Sequence, residues 1–310
     1  MNRDVAVVFM LHRFNRDGSD GATSGELLRQ SLRYLRESGI EVATLGDLVR
    51  TLRDGRGKRV VVFTIDDGYH DFHQVAAPIF EEFDARATVF LTTGFLDGTL
   101  WQWWDQIEWA FQNTQCREFE LQGEGREKSF VWNDPGRVTA EVIERLKEVS
   151  DAERRSQMAH IFSELRVELP SEAPDRYRPM SWDQVRVLAE RGFEFAPHTV
   201  NHPILSRVDD AQAREEITRS THRCAEVLGS KASTFCYPDG TAQAIGEREK
   251  RIVAELGFEG AVVALPGYVS LQGEPDLFGL RRFSFPTELE DVVQIVSGLE
   301  RIKRWLRREQ

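Results

Sequence analysis

Val60-Val61-Val62-Phe63-Thr64-Ile65-Asp66-Asp67-Gly68-Tyr69 runs from β-branched and aromatic residues straight into two adjacent carboxylates. The run has the length and composition of a buried strand. Paired charges do not belong inside a sheet, so the strand ends at Ile65 and presents Asp66 and Asp67 at its C-terminal edge. Two acids at such an edge suit a division of labour, one ligating a metal and the other accepting a proton.

Outward from this strand, the first hundred residues alternate strand and helix. Val5–Leu11, Ile40–Thr44, Arg59–Ile65 and Ala87–Thr92 read as strands. Ser24–Ser38, Leu45–Leu52 and Phe72–Phe83 read as helices, the first with Leu27, Leu28, Leu32 and Leu35 on one face. Alternation resumes with a helix at Trp182–Arg191 and a strand at Phe193–Ala196. It continues with a helix at Ala211–Leu228, a strand at Ser233–Tyr237, a helix at Arg248–Leu256 and a strand at Gly260–Ala264. A last strand, Leu280–Phe285, and a helix over Glu288–Arg308 follow. Repeated βα units imply a parallel sheet, and their number suits a barrel. The sequence therefore predicts an α/β fold over 1–310 as one catalytic domain, interrupted by a helical and hairpin insertion at about 101–178. The insertion comprises a Trp-rich helix around Asp105–Phe111, a hairpin over Glu118–Trp132 turning at Gly123-Glu124-Gly125, and a charged helical stretch from Val138 to Leu169. Its few apolar positions argue against a core of its own.

Composition narrows the function. The 310 residues carry a net charge of −11, which argues against a nucleic-acid partner. Cys116, Cys224 and Cys236 are odd in number and form no CxxC pair, so no disulfide scaffold is expected. The seven-residue apolar run at Val5–Leu11 has no small-residue cleavage site behind it and fits a buried strand better than a signal peptide, and no stretch reaches the ~18 apolar residues of a membrane span. A cytoplasmic protein is the expectation. The basic terminal segment Leu299–Arg308, with Leu299, Ile302 and Leu306 on one face, suggests peripheral contact with an anionic membrane.

Two further strand ends carry chemistry. After Phe193–Ala196 comes Pro197-His198-Thr199-Val200-Asn201-His202-Pro203, and after Ser233-Thr234-Phe235 comes Cys236-Tyr237-Pro238-Asp239-Gly240. The prolines bracketing the histidines indicate a loop. A tight loop can still converge His198 and His202 on one ion. With one aspartate they make two His plus one carboxylate, leaving positions open for water and substrate. Zinc is the ion this set suits first, with cobalt, nickel and manganese as alternatives.

Thr64-Ile65-Asp66-Asp67-Gly68-Tyr69 resembles the TFDDG motif of polysaccharide deacetylases, the family 4 carbohydrate esterases. His198-Thr199-Val200-Asn201-His202 is similar to their second motif, H-[S/T]-x-x-H, and Tyr237-Pro238-Asp239-Gly240 to the groove motif ending in P-x-G. The resemblance covers about 1–100 and 180–285. It implies a distorted (β/α) barrel of about seven parallel strands and metal-dependent hydrolysis of an N-acetyl group on a sugar. It makes Asp66 the general base, and Asp67, His198 and His202 the ligands of one divalent ion. Tyr237, Pro238 and Asp239 line the substrate and oxyanion site, the Asp239 backbone N–H helping to hold the oxyanion.

The chain departs from the pattern twice. Cys236 stands where the third motif usually carries an Arg bracing the catalytic aspartate. Arg281 or Arg282 on the last strand takes over that role, and Arg281 is assigned it here. The family's last motif supplies a His as general acid, yet no His follows His222. His12, at the end of the first strand, is assigned that place, with His70 and His73 the next nearest. Trp101, Trp103, Trp104 and Trp109 form either a sugar-stacking wall or the apolar root of the insertion. These departures keep two other readings open, a hydrolase of another non-peptide C–N bond and a carbohydrate-binding protein without turnover.

Overall fold

The structure is a computed structural model that describes residues 4–121 and 128–298. Its first half builds a parallel sheet from β1 (Val5–Leu11), α1 (Gly25–Glu37), β2 (Glu41–Ala43), α2 (Leu45–Arg53), β3 (Val60–Ile65), α3 (Ala77–Glu82) and β4 (Thr88–Leu91). Every residue of β3 is buried, as a strand covered by helices on one side and barrel interior on the other requires. Full burial of each Val, Ile or Phe there contributes about 1.5–3 kcal/mol.

The insertion follows as α4 (Trp103–Asn113), the antiparallel hairpin β5 (Glu118–Leu121) and β6 (Lys128–Val131), α5 (Pro135–Glu148) and α6 (Asp151–Glu164). The barrel then resumes with α7 (Trp182–Glu190), β7 (Glu194–Pro197), α8 (Asp210–Leu228), β8 (Thr234–Cys236), β9 (Gly260–Val263), β10 (Leu280–Arg281) and β11 (Phe283–Ser284).

Parallel pairing runs β11–β1–β3–β4–β7 in one sheet, with β2 beside the lower half of β3, and β8–β9–β10 in a second. The result is the curled, distorted barrel that the βα alternation predicts.

Three differences from the expected elements have physical causes. The last strand is two short strands in different sheets, joined only by Arg282. The helix expected over Phe72–Phe83 opens with a wide π turn at Phe72–Ala76, just ahead of Pro78, which has no N–H to give. The charged stretch from Val138 is two helices, because the Ser150 side chain accepts from the Glu153 N–H and starts α6 afresh.

The insertion also corrects the expectation about its core. Ile107, Phe111, Phe119, Trp132, Val142, Leu146 and Ile161 form a buried cluster separate from those of the barrel. Phe119 stacks on Phe130 with centroids 4.9 Å apart, joining the two hairpin strands. Apolar residues scattered thinly over five elements converge here on one centre. The hairpin turn at 123–125 and the basic segment 299–308 lie outside the described residues. Among the described residues, no helix is long and apolar enough to cross a membrane.

Candidate active site

At the end of β3 the Asp66 N–H donates to the Leu11 carbonyl at 2.9 Å, and the ladder stops there. Asp67 and Gly68 both turn left-handed, with φ of 74° and 88°. A Cβ at Gly68 would come within 2.9 Å of the Leu91 side chain, so this turn demands glycine. The turn sends the two neighbouring carboxylates to different partners.

The histidine loop is pinned by Glu216 of α8, a buried residue the sequence does not single out. Its carboxylate accepts from the N–H groups of Val200 and Asn201 at 2.9 Å each, and from the Asn201 side chain at 2.6 Å. Thr199 and His202 adopt left-handed φ of 66° and 52°, and the His202 N–H donates to the Thr199 hydroxyl. So held, His198 Nε2 and His202 Nε2 face each other at 3.1 Å, and Asp67 Oδ1 lies 3.7 and 3.5 Å from them.

This triangle fits a divalent cation. A tetrahedral ion with bonds of about 2.0–2.1 Å spaces its ligand atoms about 3.3 Å apart. His198 Nδ1 donates to the Cys236 carbonyl at 2.8 Å, which leaves the Nε2 lone pair free to ligate. Asp67 Oδ1 is buried without a hydrogen-bond partner among the described residues. Burial lowers both histidine pKa values, that of His198 to about 4, so both imidazoles are neutral near pH 7. Burial, with Asp66 and Asp105 nearby, pushes the Asp67 carboxyl well up. A cation would offset that cost.

Asp66 has the opposite environment. Arg282 Nη1 donates to Asp66 Oδ1 at 2.7 Å and to the Thr64 hydroxyl at 3.0 Å. Desolvation alone would raise the Asp66 pKa, but Arg282, with His12 and His198 adding smaller pulls, holds it below the usual carboxylate range. One acid of the pair is thus kept ionised, and the other awaits a cation. Asp66, His198 and Cys236 also converge closely enough to hold an ion. Arg282 excludes that alternative, because its guanidinium already contacts Asp66 and, at 3.3 Å, Cys236 Sγ. Burial moreover raises the Cys236 pKa, so the thiol stays protonated.

The bracing residue is therefore Arg282, which corrects the assignment to Arg281. Arg281 is exposed, with its guanidinium directed at the Pro266 carbonyl. The change of sheet between β10 and β11 turns Arg282 inward.

Asp66, Asp67, His198 and His202 line a cavity of about 980 Å³ together with His12, Tyr237, Asp239 and residues of the insertion. Trp104 meets His202 edge-to-face at 4.6 Å, whereas Trp103 belongs to the insertion core. Lys147 of α5 pairs with Asp239 at 3.3 Å.

A family model described as polysaccharide deacetylase matches residues 53–119 and 137–261, more than half of the chain. This chain belongs to the polysaccharide deacetylase family.

Structural comparison agrees on the fold. A Streptococcus pyogenes deacetylase, PplD, solved with acetate, superposes with a TM-score of 0.63 at 17% identity over 94% of this chain and 98% of its own. IcaB from Ammonifex degensii gives 0.61 at 17% identity over 95% and 96%. A de-N-acetylase from Aggregatibacter actinomycetemcomitans gives 0.57 at 14% identity over 93% and 96%. Comparison with curated protein sequences returns no match. As a member of the family, the chain is a hydrolase of the amide C–N bond in acetylated sugars.

The structure brings His12, Tyr237 and Asp239 of this deacetylase to the same cavity, with Pro238 between the last two. His12 Nε2 lies 3.7 Å from Asp66 Oδ2, with 44% of the side chain exposed. Desolvation lowers its pKa, against an upward pull from Asp66. Asp239 sits in a left-handed turn with Gly240, at φ of 62° and 66°. A Cβ on Gly240 would meet the Ala264 nitrogen at 2.8 Å, which holds this loop to its glycine. The Pro238 carbonyl accepts from the Gly240 N–H at 2.8 Å and closes the turn. The buried Tyr237 hydroxyl donates to the Phe278 carbonyl at 3.1 Å, so the phenol serves the loop rather than a ligand. His70 also lines this cavity, whereas His73, paired with it through Gln184, lines a smaller neighbouring pocket.

Three site neighbours escape sequence reading: Glu216, Lys147 and Asp105. Only Asp105 leaves a trace there, as an acid set among tryptophans at the start of a helix.

Proposed function

We propose that this deacetylase is a metal-dependent enzyme that removes N-acetyl groups from hexosamine units of a surface polysaccharide, an exopolysaccharide or a precursor of one. The observation that carries the reading is the buried Asp67–His198–His202 triangle beside an Asp66 held ionised by Arg282. PplD, a deacetylase solved with acetate, and a de-N-acetylase among the similar structures support the choice of an acetamide.

An ion held by Asp67, His198 and His202 would supply Lewis-acid polarisation of the acetyl carbonyl and acidify a water molecule; zinc suits the donor set first, with cobalt, nickel and manganese to be tried beside it. Asp66 takes the proton from the attacking water, a step worth typically about 10²–10⁴ in rate. His12, beside Asp66 and open to the cavity, carries that proton to the departing amine. The family motif assigns the backbone N–H of Asp239, at the left-handed turn on the cavity wall, to the developing oxyanion; one such donor is worth roughly 3–4 kcal/mol of barrier.

The test is acetate release from N-acetylglucosamine oligomers and lipid-linked N-acetyl sugars by protein loaded with zinc or cobalt, with Asp66→Asn as control. Acetate from the wild type alone, with the ion retained in the variant, is the expected result. Equal turnover by Asp66→Asn would overturn the general-base role. An ion-bearing wild type that releases no acetate would overturn the acetamide reading.

A further inference from the structure

His198 and His202 are oriented by different means. His198 is tied by Nδ1 to the Cys236 carbonyl. His202 Nδ1 is buried and has no hydrogen-bond partner among the described residues. A metal-ligating imidazole normally gives its second ring N–H to an acceptor that fixes ring orientation. What meets the His202 ring instead is Trp104, edge-to-face, with centroids 4.6 Å apart and planes at 67°.

Trp104 is itself anchored. Its Nε1–H donates to the Tyr69 hydroxyl at 3.1 Å, and that hydroxyl donates to Asp105 Oδ2 at 2.6 Å. Tyr69 and Asp105 are 1% and 3% exposed, so the chain of bonds is shielded from competing water. Tyr69 follows the acidic pair on the β3 loop, while Trp104 and Asp105 open the insertion helix α4. The relay thus fastens the insertion to the turn that carries Asp67 and lays an indole against the second histidine.

We propose that Trp104, held by Tyr69 and Asp105, is the positioning residue for His202 and replaces the missing hydrogen bond to Nδ1. The insertion thereby completes the ion site rather than only roofing the cavity. This rests on the metal-site reading above. An edge-to-face aromatic contact favours one ring orientation over others, and in a packed site it holds the imidazole in that orientation.

The test compares full-length wild type with Trp104→Ala and Tyr69→Phe. The readouts are zinc affinity by chelator competition and the visible absorption of the cobalt-loaded protein. Loss of an orienting partner typically costs about 10–100-fold in metal affinity. Trp104→Ala should show a loss in that range and an altered cobalt spectrum. Tyr69→Phe, nearly isosteric, should move both readouts the same way by less and carries the test if Trp104→Ala does not fold. Asp105→Asn keeps an acceptor for Tyr69 and should restore near wild-type values. Val138→Ala, in the insertion core, should leave both readouts unchanged. A well-folded Trp104→Ala or Tyr69→Phe protein with wild-type affinity and spectrum would overturn the proposal while leaving the metal site standing. A wild type that binds no ion would overturn the metal-site reading and this proposal with it.

Discussion

Arg282 reaches Asp66 from 216 positions away and donates a 2.7 Å hydrogen bond to it inside the barrel. The same guanidinium contacts the Thr64 hydroxyl, the Val263 carbonyl and Cys236 Sγ. Cys236, compact and buried, leaves room for a cation arriving from another strand.

Removing Arg282 would leave Asp66 buried without its counter-charge. Breaking one side of such a pair typically costs about 3–5 kcal/mol. Arg282→Met should lose stability in that range in urea unfolding at pH 7; a loss under about 1 kcal/mol would contradict the pairing. The sign with pH follows from the depressed Asp66 pKa. The folded value lies below the ordinary 3.8, so this stabilisation is complete above about pH 4 and fades as pH falls further. Wild type and variant should therefore converge in acid.

Much of this site is legible in the chain because it sits where strands must end. The apolar run at Val60–Ile65 and the paired acids can be satisfied together only at a sheet edge, and the two prolines make the histidine segment a loop. The choice between Arg281 and Arg282 is not legible. Strand alternation fixes which side chains share a face, and a change of sheet inside Leu280–Phe285 resets that alternation in a way no local pattern reports. Glu216 is hidden for a related reason, since an acid on a long charged helix reads as solvated until the loop it clamps is packed against it. The insertion core is missed because its apolar residues converge from five elements, none of them strongly apolar alone.

Glu216 makes the second prediction. Glu216→Ala frees the N–H groups of Val200 and Asn201 and unpins the loop between the histidines. Zinc affinity should fall by about 10–100-fold, as for other groups that orient ligands from behind. Chelator competition measures it, and Glu216→Gln, which keeps an acceptor, should recover part of the loss. Wild-type affinity in the alanine variant would show that the loop holds its shape unaided.

Asp105 gives a prediction about pH. Burial, the dominant cause, raises its pKa to about 7 against an ordinary 3.8. A raised folded pKa means that ionisation is disfavoured in the native state, so stability is lost as pH climbs from about 4 through 7. Asp105→Asn cannot ionise and still accepts from Tyr69. Relative to wild type it should be more stable at pH 8 than at pH 5, as read by thermal midpoints at both values. An identical difference at the two pH values would place the Asp105 pKa outside this window.

The histidines set the last expectation, for protein stripped of metal and protein loaded with it. Desolvation lowers the His198 pKa to about 4 and lowers that of His202, whereas the unfolded chain titrates near 6.5. Their stabilising share is therefore complete above about pH 6.5 and is lost as pH falls toward 4. Asp67, with its pKa raised, opposes this in the stripped protein, because its ionisation costs stability as pH rises. A bound cation pairs with that carboxylate and removes the opposition. Loaded protein should thus lose stability more steeply below pH 6.5 than stripped protein. At neutral pH, with free metal about 100-fold above its dissociation constant, it should be more stable by about 2.7 kcal/mol. His202→Ala should flatten the acid slope and abolish most of the gain from metal. Denaturant melts of the three forms at pH 7.5 and 5.0 give both numbers, and parallel pH slopes in all three would remove His198 and His202 from the ion site.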